Sequence, residues 1–314
     1  MNVKIILIMC LLLFFTACID TKNTNTAKLE KELYKGTEGA SLTFLDENFP
    51  SEVYEGEDIS LVIKVTNKGP YLVENPKLLV NVEKGYMEFS GGNNVFTTKE
   101  GLALDGKTIY NNFDDFSVIE VSMKTKEIDA YSEYHDALIT TNFCYDYRGI
   151  AIAEACIDTD PHGVTANKKA CTAQDTISLS EGQGGPVVIT RVEPRMLVQN
   201  NQIIPQFKIF ITNQGTGDII KYGSTEQACS SDYLQEGTYN SVTLKEIRLG
   251  NSNTGFECLP REIQLMQNED SITCTYTGSI SKSTPAYMTP LKIEIEYGYI
   301  DSISKEIKIK NLPG

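Results

Sequence analysis

The chain has 314 residues, 41% of them hydrophobic and 22% charged, and its 42 acidic against 28 basic side chains give a net charge of −14. That balance disfavours nucleic acid, since binding phosphates takes a basic face, and suits cations, basic partners or plain solubility. Eight cysteines beside only two histidines, His135 and His162, point away from a zinc site and toward disulfides.

From the N-terminus, a start with one basic residue, Lys4, leads into an apolar run from Ile5 to Ala17 that stops at Cys18-Ile19-Asp20. The run is shorter than the roughly 20 apolar residues a membrane span needs, so residues 1–17 read as an export signal. Phe15-Thr16-Ala17-Cys18 resembles a lipobox, which implies cleavage before a diacylated Cys18; Phe15 stands where that pattern prefers Leu. An uncleaved signal-anchor helix is the alternative, and either tethers the chain to a membrane, two acyl chains sufficing for a stable anchor. Residues 18–36, rich in Lys, Asn, Thr and Glu, read as a flexible tether.

Beyond the tether, short alternating runs broken by Gly, Pro, Asn and Asp indicate antiparallel strands, with helix periodicity nearly absent. Leu61, Ile63 and Val65 form one such face, and Leu291, Ile293, Ile295 and Tyr297 another. Ile303, Ile307 and Ile309 are expected to resume that pattern after a turn near Ile300-Asp301-Ser302. Further strands are expected near 40–46, 77–83, 116–124, 137–147, 150–158, 186–193, 204–212, 241–249 and 271–276.

Two landmarks recur in order. Ile63-Lys64-Val65-Thr66-Asn67-Lys68-Gly69 is echoed by Ile209-Phe210-Ile211-Thr212-Asn213-Gln214-Gly215 at an offset of 146, and Cys144-Tyr145-Asp146-Tyr147 by Glu296-Tyr297-Gly298-Tyr299 at 152. A duplicated domain follows, with sandwiches over 37–180 and 186–314 and a flexible glycine linker at Ser180–Pro186. With Val53-Tyr54-Glu55-Gly56-Glu57 ahead of the first repeat, the chain resembles the tandem Ig-like domains of CARDB type found in archaeal and bacterial surface proteins. The resemblance implies an all-β fold of two tandem Ig-like antiparallel sandwiches and a cell-surface location, and it brings no active site. No Trp is present to build an antibody-type core.

Six cysteines, Cys144, Cys156, Cys171, Cys229, Cys258 and Cys274, fall in the folded part and allow 15 pairings. Cys156 with Cys171 and Cys258 with Cys274 would each close a loop of about 15 residues, stabilising by about 3 kcal/mol in the loop-entropy model. Cys144 and Cys229 are then left, one in each half. A bond between them would lock the halves into a rod, whereas free thiols would leave a hinge.

Catalytic motifs are missing: no G-x-S-x-G, H-E-x-x-H or phosphate-binding loop occurs. Asp158 and Asp160 are the candidate calcium ligands, two carboxylates where calcium takes six or more oxygens, with an Asp-Pro turn as the plainer reading; no other cofactor is expected. The Tyr145/Tyr147 and Tyr297/Tyr299 pairs read as core residues more than as a binding patch. Together these features give a non-enzymatic, membrane-anchored extracytoplasmic protein with an adhesive, envelope-structural or partner-binding role. The alternative is an accessory subunit that captures a ligand or cation for a membrane complex, for which a concave apolar pocket between the halves would be the sign.

Overall fold

A computed structural model describes residues 32–312 apart from 46–48, 99–101, 165–168, 231–235 and 267–268. The export signal, Cys18 and most of the tether therefore lie outside the described residues. In the first half the strands are β1 (Ala40–Phe44), β2 (Glu52–Tyr54), β3 (Asp58–Asn67), β4 (Glu74–Val82), β5 (Met87–Phe89), β6 (Val95–Thr97), β7 (Asp115–Thr125) and β8 (Tyr134–Ile157). The second half holds β9 (Ile177–Ser178), β10 (Val187–Gln199), β11 (Gln202–Asn213), β12 (Asp218–Ile220), one helical turn α1 (Thr225–Ala228), β13 (Ser241–Leu249), β14 (Phe256–Leu259), β15 (Glu262–Gln264), β16 (Glu269–Tyr276), β17 (Ile280–Ser281) and β18 (Tyr287–Lys310).

Two strands organise everything else. β8 and β18 are each 24 residues long and pair antiparallel from end to end, Tyr134 opposite Lys310 and Ile157 opposite Tyr287. They form the centre of an eight-stranded sheet in the order β15-β13-β18-β8-β4-β6, with β12 and β2 added on β18. A four-stranded sheet, β1-β3-β7-β5, belongs to the first half, and a six-stranded sheet containing β14-β16-β11-β10-β9 to the second.

The turns expected within 147–150 and at Ile300–Ser302 are replaced by continuous strand. The reason is parity: the core-facing residues of β8 run without a slip through Ala137, Ile139, Phe143, Tyr145, Tyr147, Ala151, Ala153 and Ile157. Those of β18 run likewise from Leu291 through Tyr297 and Tyr299 to Ile307 and Ile309. A strand whose side-chain period is two buries one face over any length while that phase holds.

Each half is consequently completed by the other's strand. The end of β18 pairs with β2 through Lys308–Lys310, and Asp301 on it accepts the Leu42 N–H of β1 at 3.0 Å. The end of β8 pairs with the start of β18, and Ala151, Ala153 and Ala155 join the core that Ile189, Phe207 and Ile209 enter from β10 and β11. Asp146 pairs directly with Gly298, its counterpart at the 152-residue offset (298 − 146), so the local two-fold axis of the antiparallel ladder at that pair relates the two Tyr-x-Tyr landmarks.

The 180–186 segment, expected as a flexible linker, is pinned instead. Gly36 N donates to Glu181 O at 2.7 Å, Gly184 N donates to Gly36 O at 2.8 Å, and buried Gln183 bonds both N–H and C=O of Ile189. Residues 32–36, at the end of the expected tether, thus dock on the junction, where Lys35 also pairs with Glu181.

Because each half borrows a strand end, fragments 32–180 and 181–312 expressed separately should lack cooperative thermal transitions, and mixing them should restore one. Two independent sharp transitions by circular dichroism would contradict this strand exchange.

Candidate functional site

The junction at the two-fold axis is the part of the molecule where most of the singled-out residues meet. On its core side four tyrosines cluster: Tyr145 lies 5.8 Å from Tyr299 and Tyr147 6.3 Å from Tyr297 between ring centroids, with edge or tilted geometry. All four are buried. Their hydroxyls explain the repeated Thr-Asn-x-Gly sequence. The Tyr147 hydroxyl lies 3.3 Å from both Asn67 Oδ1 and Gly184 O, and the Tyr299 hydroxyl 3.4 Å from Asn213 Oδ1 while accepting from Gly217 N at 2.8 Å. Each Asn closes its own turn, Asn67 Oδ1 accepting from Gly69 N and Asn213 Oδ1 from Gly215 N, both at 3.1 Å. Burial pushes the Tyr299 hydroxyl up to about 12 and that of Tyr147 higher still, so both stay neutral hydrogen-bonding groups.

A polar cleft of about 150 Å³ beside the cluster is lined by Glu38, Tyr145, Thr216, Tyr299 and Asp301 among others.

On the opposite face of the shared sheet Asp146 is fully buried, accepting from Asn75 Nδ2 at 2.8 Å and Gly223 N at 2.9 Å. Asn75 adopts a left-handed φ of 48°, a conformation Asn tolerates better than most residues. Burial raises the Asp146 carboxyl despite these two donors. Neighbouring Glu74 is also penalised by burial, but the Tyr222 hydroxyl at 2.6 Å and the Arg148 guanidinium outweigh that and hold it below its ordinary range. From Arg148 an ion-pair ladder continues through Glu294, Lys292 and Glu246 across three strands.

Cys144 is bonded to Cys229, 85 residues away. The bond does not join two separate sandwiches, because β8 and β18 already do so. It staples the segment carrying Tyr222, Gly223 and α1 over the outer face of the shared sheet, on a small apolar cluster of Leu79, Ile220 and Ile300. Cys156–Cys171 and Cys258–Cys274 are the other two disulfides, the second tying β14 to β16. Three intramolecular disulfides suit an oxidising, extracytoplasmic compartment.

The candidate calcium ligands have an internal cation. Lys169 Nζ sits 2.7 Å from Asp158 Oδ2 and 2.6 Å from Asp160 O, while Asp158 Oδ1 and Asp160 Oδ1 accept the N–H groups of Asp160 and Val164. Both carboxylates shape an Asp-Pro turn. No cluster of three or more metal-ligating side chains occurs among the described residues. His135 stacks on Tyr86 at 3.5 Å and bonds Glu83, and His162 is exposed in the turn after Asp160.

No family model and no curated protein matches the chain. Solved structures to which it is similar include Spo0M, a sporulation control protein from Bacillus subtilis, at 8% identity over 55% of this chain and 80% of that one, with a TM-score of 0.15. Another is the secreted serine protease VesC from Vibrio cholerae, at 9% identity over 89% of this chain and 53% of that one, with a TM-score of 0.18. Likenesses this distant carry no argument about function.

A methyl group at Gly69 would collide with the Tyr147 hydroxyl and the Gly184 carbonyl, and one at Gly215 with the Tyr299 hydroxyl and Pro186, whereas Gly85 faces open space. Gly69→Ala and Gly215→Ala should each cost at least about 2 kcal/mol in chemical denaturation, and Gly85→Ala no more than about 0.5 kcal/mol.

The buried carboxylates also predict a pH dependence. Burial raises Asp146 and Asp301 above their ordinary value of 3.8, so the folded chain holds those protons more tightly than the unfolded one. Stability from this source falls as pH rises from 3.8 through the raised native values, and the penalty is complete above them. Glu74 acts with the opposite sign: its stabilisation is present above 4.5 and lost as pH falls through its lowered native value. In melting temperature against pH, Asp146→Asn and Asp301→Asn should flatten the first slope and Glu74→Gln the second.

Proposed function

We propose that this protein is a non-enzymatic, membrane-anchored extracytoplasmic scaffold that engages a protein or envelope partner. The observation that carries the reading is the end-to-end β8–β18 ladder: it makes two halves one inflexible body with a tyrosine-filled junction, as suits a spacer or docking module more than a capture vessel. The three disulfides fit the export signal in residues 1–17 and the lipobox-like Phe15–Cys18. On this reading the halves are Ig-like modules of CARDB type, related by the Thr-Asn-x-Gly turn and its tyrosine and fused by exchange of their last strands. Lipid at Cys18 is the anchor, and no bound metal or cofactor takes part.

Intact mass of membrane-extracted protein, before and after reduction with thiol alkylation, tests this. The expected mass is Cys18–Gly314 plus a diacylglycerol, with six thiols appearing only on reduction. A chain that still begins at Met1 would rule out the lipid anchor, and thiols reactive without reduction would rule out the braced scaffold.

A further inference from the structure

The first-half sheet ends on a strand that is only partly paired. β7 bonds β3 along its whole length, but β5 covers only Met123–Thr125 on its other edge. The bond from Thr125 N to Glu57 O fixes the phase, so odd-numbered residues of β7 bond β3 and even-numbered ones turn their N–H and C=O groups to the free edge. Phe116 N is capped by the Asp115 carboxylate. The peptide groups of Val118 and Glu120 meet no strand among the described residues.

Side chains of the same even residues stand on the solvent face. Phe116 and Val118 are 54% and 51% exposed, and the adjoining loop holds out Phe113 and Tyr110 at 82% and 93%. That loop is built rather than slack: Thr108 Oγ1 accepts from Tyr110 N and Asn111 N, and the Lys107–Asp114 pair at 2.7 Å closes it. On the β3 side of β7 an open cleft of about 460 Å³ is lined by Glu52, Glu57, Asp58, Ser60, Val62 and, from β7 itself, Glu120. Two lysines, Lys308 and Lys310, neutralise Glu52, and Glu57 accepts from Tyr54 N, while among the described residues Asp58 and Glu120 have no cationic partner. Such an edge, long and apolar with no Pro or Lys of its own over 115–121, is what natural sheets usually block.

From this we infer that the free edge of β7 is a docking site for an extended segment of a partner protein, in which apolar residues alternate with basic ones. Main-chain bonds to Val118 and Glu120 would supply the pairing, Phe116, Val118 and Phe113 would receive the apolar side chains, and Glu120, at the rim of the acidic cleft, would receive a Lys or Arg. Charge decides between occupants. A second copy would bring Asp115 and Glu120 against the same carboxylates and a net charge of −14 against −14, whereas a basic strand meets Glu120 and the net negative charge, with Lys64 over the Phe116 ring as the cation beside it. The inference rests on the partner-binding reading above and names the chemistry of that partner.

A synthetic peptide alternating lysine with valine is the probe, with a glutamate–valine peptide as control, titrated into the full disulfide-bonded protein by calorimetry and followed by backbone amide shifts. Saturable one-to-one binding with shifts centred on 116–122 is expected. Val118→Pro removes a free-edge donor and no ladder bond, and should weaken binding by at least about tenfold. Glu120→Lys should also weaken binding and reduce its salt dependence; it keeps the test informative if Val118→Pro does not fold. Absence of saturable binding, or binding that neither variant changes, overturns the inference. So does sedimentation of the wild type as a dimer that Val118→Pro dissociates, which would assign the edge to a second copy. A lipidated, fully bridged chain that ignores the peptide defeats the docking edge alone, whereas an unprocessed chain with reactive thiols defeats the anchored scaffold whatever the peptide does.

Discussion

The pairing of β8 with β18 is the constraint on which the rest of the molecule depends. Each strand runs 24 residues, and every residue of one has a partner in the other. Their inward faces supply the floor under both smaller sheets, so neither half owns a complete core. At the centre Asp146 pairs with Gly298, and the asymmetry of that one pair has consequences on the outer face. Gly298 leaves room for the Ile220 side chain, against which a Cβ would sit at 2.7 Å, while Asp146 anchors Gly223 and Asn75. Symmetry in the backbone thus carries a one-sided strap.

Two layers of interactions then stiffen the junction. Below the sheet, tyrosine hydroxyls are tied to asparagines that themselves close glycine turns, so the rings, the turns and the 180–186 segment are held by one hydrogen-bond network. Above it, the Cys144–Cys229 bond and the Tyr222–Glu74–Arg148 chain hold the strap down. A loop of 85 residues closed by that disulfide is worth on the order of 4–5 kcal/mol in the loop-entropy model. Its stabilisation acts on the unfolded chain, whereas stiffness in the folded one comes from the ladder.

Against this closed centre the β7 edge stands out. On the shared sheet β2 and β12 add to β18, and the Tyr71 hydroxyl accepts Ile150 N at 3.1 Å. Along β7 a main-chain edge adjoins an aromatic platform, Glu120 links them to the acidic cleft on the β3 side, and the loop that presents the aromatics is held by its own hydrogen bonds.

Much was legible in the residues themselves. Alternation with a period of two gave most strands within a few residues, 241–249 to the residue, because side-chain burial on one sheet face is a local property of the pattern. Loop length picked out Cys156–Cys171 and Cys258–Cys274, while Cys144 and Cys229 were left either bonded or free, and the structure joins them. The unbroken parity of apolar residues across Gly149 and Asp301 was also present in the sequence and outweighs the Gly and Asp-Ser turn signals there, since a phase kept over 24 residues requires a continuous strand. Sequence could not decide which strand lies beside which: long-range pairing depends on three-dimensional packing, and each half's pattern is satisfied equally by its own strand or by the other's. The place of the Lys169 ammonium between Asp158 and Asp160, the strap over Asp146 and the open edge of β7 were likewise settled only by tertiary structure, because each depends on which distant groups come to share one surface.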